Sequence, residues 1–93
     1  MTTIYKYPLS LQTTTELEMP VGAKILSIQM QGGFPTIWAL VQEEARDETR
    51  TFLVFGTGWP LDDYVWTYPH IATVQDGSLV WHIFEKTTSK VTT

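Results

Sequence analysis

The sequence predicts an all-β domain, a small antiparallel sheet, sandwich or partly closed barrel of roughly six to seven strands. Two observations carry this. Apolar residues recur with period two in most segments, the spacing of a strand with one face buried. A glycine pair and an Asp-Gly step separate alternating runs, as tight turns require. The 93 residues suffice for one domain. A chain of this size buries roughly two-thirds of its unfolded surface, so its core is thin.

The elements follow in order. "TIYKY" (3–7) is a short β-prone opening ended by Pro8, and "TELEM" (15–19) alternates until Pro20. In "VGAKILSIQMQ" (21–31), strict alternation places Leu26, Ile28 and Met30 on one face and Ile25, Ser27, Gln29 and Gln31 on the other. Gly32-Gly33 signals a hairpin. "PTIWALVQEE" returns with Ile37, Ala39 and Val41 opposite Trp38 and Leu40. Its tail has helix-favouring residues, but Gly-Gly and Pro35-Thr36 in front favour a strand running into a loop. "ARDETR" (45–50) reads as a charged surface loop. In "TFLVFGTG", Phe52 and Val54 alternate with Leu53 and Phe55. "HIATVQ" and "SLVWHIFE" flank Asp76-Gly77, which predicts a last hairpin. The β domain is expected over 1–86, with 87–93 a fraying polar tail.

Several strands are apolar on both faces, whereas an antiparallel sheet commonly leaves one face to water. The expectation is a homo-oligomer in which a second copy covers part of the excess.

Composition excludes several classes. With 43% hydrophobic and 17% charged residues, the chain is neither disordered nor low-complexity. Its net charge is −4, and its six basic residues, Lys6, Lys24, Arg46, Arg50, Lys86 and Lys90, are scattered. A phosphate-backbone binder needs them clustered, so no nucleic acid polymer is expected as partner. Without cysteine there is no disulfide framework, thiolate metal site or cysteine nucleophile. No leader pattern or membrane-length apolar run is present. The expected location is the cytoplasm.

"FGTGWPLDDYVW" (55–66) holds the candidate site. Gly56, Thr57 and Gly58 could present amides and a hydroxyl to an anion, as backbone nests do, or could simply end a strand. Trp59 and Trp66 could stack on a ligand, form an interface anchor, or roof the core. Trp59 is expected to be the most exposed tryptophan. Asp62-Asp63 reads as solvated, since acidic residues seek water or a partner. His70 and His82 lack the carboxylate spacing of a zinc motif. No nucleophile elbow surrounds any serine, and no acid–base carboxylate pair stands out. No cofactor, metal or catalytic residue is expected.

"IYKYPL", "MPVGAKILSIQMQGGFPTIWALV", "FGTG" and "IATVQDGSLVWHIFE" together resemble a small family of uncharacterised proteins found in tailed phages and in bacterial genomes carrying phage remnants. The resemblance implies a noncatalytic phage-type accessory protein acting in the host cytoplasm. It would bind a host protein, as an anti-defence inhibitor, or sequester a small anionic nucleotide signal. A structural or assembly role in the phage particle is the alternative. Members of that family often carry histidine after "GTG". Here Trp59 stands there, which argues against a metal ligand or catalytic base at this position.

Overall fold

The computed structural model describes residues 1–87. Of the expected tail, 88–93 lie outside the described residues. Seven strands form: β1 (Thr2–Pro8), β2 (Thr14–Pro20), β3 (Lys24–Gln31), β4 (Phe34–Gln42), β5 (Asp47–Gly56), β6 (His70–Asp76) and β7 (Leu79–Lys86). They build two antiparallel sheets, β1-β4-β3 and β2-β5-β7-β6. The layers face each other as a sandwich and do not close into a barrel. A 3-10 turn, Asp63–Thr67, is the only helical element among the described residues.

Both sheets supply the core. Ile37, Ala39 and Val41 of β4 face Phe52 and Val54 of β5 and Ile83 of β7, all with at most 2% of their surface exposed. Wholly burying a large aliphatic or phenyl side chain contributes roughly 1.5–3 kcal/mol. The alternation read in β4 and β5 is thus the alternation of the fold.

Two expectations are corrected. β3 does not alternate strictly. Its register against β4 shifts between Ile25 and Ser27, where Leu26 is the extra residue of a bulge. A bulge resets the side-chain parity beyond it. Ile25 pairs with Ala39 and Ile28 with Ile37, so both follow the core-facing residues of β4, while Leu26 is exposed. The second correction concerns "ARDETR". Asp47–Arg50 is the first part of β5, paired with Leu17–Pro20 of β2. Asp47, Glu48 and Thr49 are exposed while Arg50 is half-buried, and an antiparallel pair can face solvent on one side.

Asp76 pairs with Leu79, leaving Gly77 and Ser78 as the two loop residues of the last hairpin. Gly77 has φ +60°, and among the described residues none other than glycine has positive φ. Positive φ at the first loop position alone is the II′ pattern, which needs glycine there.

Candidate functional site

The outer face of the four-stranded sheet and the segment 57–69 form the most distinctive surface of the molecule. β5 is buried on both sides. Phe52 and Val54 face the core, and Leu53 and Phe55 face away from it, yet these two are only 8% and 7% exposed. The chain itself covers them. Pro60, Leu61, Tyr64, Val65 and Tyr68 close over Leu53 and Phe55 around a hollow of about 390 Å³. Part of the excess apolar surface is therefore satisfied within one chain.

The segment leaves β5 through Gly56-Thr57-Gly58-Trp59, where the Trp59 amide donates to the Gly56 carbonyl at 3.3 Å. Gly56 is required by close approach: a Cβ there would lie 2.6 Å from Trp59 Nε1. The Trp59 ring also meets Trp81 edge-on at 5.8 Å. Gly56 and Trp81 are cross-strand partners in line with Val54 and Ile83, on the core side of the sheet. Trp59 thus half-roofs one end of the core.

Beyond Pro60 the chain crosses to the other side of the sheet. Asp62 caps the 3-10 turn, its Oδ1 accepting from the Tyr64 amide at 2.9 Å. The Thr67 hydroxyl donates to the Tyr64 carbonyl at 2.7 Å. The Tyr68 amide donates to the Val65 carbonyl, and the Glu85 amide to the Pro69 carbonyl. The first three fix the turn internally, and the last holds the end of the segment against β7. Trp66 is held clear of the core at 91% exposure, against 45% for Trp59. The expectation that Trp59 is the most exposed tryptophan is therefore corrected. Its ring finds Gly56 and Trp81, whereas Trp66 sits on a turn with no buried residue.

The five predicted site residues do not converge. Gly56, Thr57 and Trp59 line a hollow of about 380 Å³ with Leu79 and Trp81. Trp66 lines a different hollow of about 450 Å³, with Leu61, Asp62, Asp63, Tyr68 and Phe84. Gly58 has φ +85° in the turn and lines neither of them. Among the described residues, no lysine or arginine lines either hollow.

A hydrogen-bonded row lies beside the loop. Thr57 Oγ1 and His82 Nε2 are 2.7 Å apart, His82 Nδ1 and Thr73 Oγ1 3.1 Å, and Thr73 Oγ1 and His70 Nε2 2.9 Å. His82 and His70 are thus joined through the Thr73 hydroxyl, with no carboxylate between them. No group of three or more His, Cys, Asp or Glu able to hold a metal ion occurs among the described residues.

Sequence reading missed one ion pair. Arg50 grips Glu85 with two bonds, Nε to Oε2 at 2.7 Å and Nη2 to Oε1 at 2.9 Å. Its Nη1 donates to the Ala23 carbonyl at 2.6 Å, just before β3 begins. The hydrogen bonds to Glu85 raise the pKa of Arg50, opposed by burial. Arg50 and Glu85 belong to the same sheet, and the bond to Ala23 ties that sheet to the start of β3. Strand parity was the signal available: Arg50 lies two residues before core-facing Phe52, and Glu85 two after Ile83.

These features define a two-sheet β-sandwich carrying an ordered aromatic loop. Over residues 1–93 the chain belongs to the family described as a domain of unknown function, DUF7352. No curated protein and no solved structure matches it.

Proposed function

We propose that this protein is a noncatalytic binding protein whose recognition surface is the aromatic loop 57–69. The observation that carries it is Trp66, 91% exposed on a capped and hydrogen-bonded turn. Water does not favour a bare indole, and the fold gains nothing from this one. Tyr64, Leu61 and Trp59 are exposed on the same segment at 70%, 42% and 45%. Tryptophan and tyrosine are the side chains most often found as interface anchors. A loop already fixed by its own hydrogen bonds loses little entropy on binding.

The partner in this reading is a host protein, and the role that of a phage-type accessory inhibitor. Sequestration of an anionic nucleotide signal is less well supported. Phosphates are held by cations and directed donors, and among the described residues no lysine or arginine lines the hollows beside Trp59 and Trp66. The reading includes a homo-oligomer. Ile4, Leu26 and Leu40 remain exposed on the three-stranded sheet at 54%, 46% and 37%.

Capture from a bacterial lysate by tagged protein, compared with Trp66→Ala, tests the reading. A host protein enriched by the wild type and lost from the folded variant supports it. An identical set of captured proteins overturns it.

A further inference from the structure

The reading of 57–69 as a recognition surface leaves open what chemistry it recognises. Two features of the hollow beside Trp66 bear on this.

One is its wall. Asp62 and Asp63 stand with Trp66, Tyr68 and Phe84 around about 450 Å³. Side chains three residues apart eclipse on a 3-10 helix. Asp63 and Trp66 are three apart on the turn Asp63–Thr67 and line the same hollow. Asp62 uses Oδ1 for the Tyr64 amide, and both aspartates are exposed. The other feature is charge: among the described residues, no lysine or arginine lines this hollow. Arg50 is committed to Glu85 and to the Ala23 carbonyl. Lys86 lines the neighbouring hollow, which shares Asp62 but not Asp63 or Trp66 with this one.

Carboxylates beside an exposed indole attract a cation twice, by charge and by the ring's negative face. An ammonium satisfies both weakly. A guanidinium is planar, stacks on an aromatic face, and offers paired donors to a carboxylate. We infer that the Asp62–Asp63–Trp66 hollow receives an arginine side chain of the partner protein. The inference rests on the binding reading above. It reverses the sign of ligand expected from the glycines of 56–58, because the charged groups of the loop are acidic.

The test uses the full chain labelled with nitrogen-15 and two small probes. N-acetyl-arginine amide is titrated against its neutral isostere, N-acetyl-citrulline amide. The arginine probe is expected to shift the Trp66 indole and the 62–66 amides in a saturable way, with a millimolar dissociation constant. Citrulline should leave them in place. Asp62→Asn/Asp63→Asn should weaken the arginine response by roughly tenfold or more, and added salt should weaken it in the wild type. The spectrum of the double variant outside the loop reports that it is folded. Equal responses to both probes, a response unchanged in the double variant, or no response to arginine overturns the inference. If Trp66-dependent capture survives such a result, the surface stands and only the ligand class falls. If capture ignores Trp66, the binding reading itself is what fails.

Discussion

Trp59 and Trp66 are seven positions apart in one loop and have opposite duties. Trp59 lies on Gly56 and against Trp81 at the end of the core. Trp59→Ala should cost about 1–2 kcal/mol, less than the roughly 3–5 kcal/mol of a wholly buried aromatic, because nearly half the ring is in water. Gly56→Ala places a methyl where the indole lies, so the ring must leave. Its cost should resemble that of Trp59→Ala. Once Trp59 is alanine, the obstruction is gone and Gly56→Ala should be close to neutral. Residues in contact depart from additivity in this way. Urea midpoints of the two single variants and the double variant check it; strictly additive losses would mean that the ring does not rest on Gly56.

At the scale of elements, legibility followed the chemistry of each strand. β4 and β5 were readable because their inner residues are apolar and their alternation is unbroken. Leu26 hid the register of β3, since a bulge is an inserted residue and leucine is no signal for one. The start of β5 was hidden by its charges. The cover over Leu53 and Phe55 could not be read locally, because apolar residues on the outer side of a strand look alike whether a loop or another chain covers them. The final hairpin was legible, since Gly77 is demanded by φ +60°. Gly77→Val should cost more than roughly 1 kcal/mol, a β-branched residue being strained at positive φ. An unchanged denaturation midpoint would show that the hairpin does not depend on this turn. In the candidate site, the loop and its aromatic character were legible. The separation of Trp59 from Trp66 was not, because it depends on how the loop passes around the end of the sheet.

On the scale of the whole molecule, the two outer faces differ. The four-stranded sheet is roofed by 57–69, while the three-stranded sheet shows Ile4, Leu26 and Leu40 to solvent. Its strands also carry Lys6 and Lys24, in a chain of net charge −4. No helix of the described residues is long and apolar enough to cross a membrane. Sedimentation at micromolar concentration should give a dimer or larger assembly, with closed twofold symmetry the ordinary outcome. A monomer would mean that the three-stranded sheet stays in water, and would remove the oligomer from the functional reading.

The division of labour within the molecule comes down to whether Trp66 is displayed or packed. The urea midpoint of Trp66→Ala measures this most directly. Its stability should stay within about 0.5 kcal/mol of the wild type, as for a surface position away from the core. A loss of several kcal/mol would place the indole in the fold and contradict the account of 57–69 as a recognition surface.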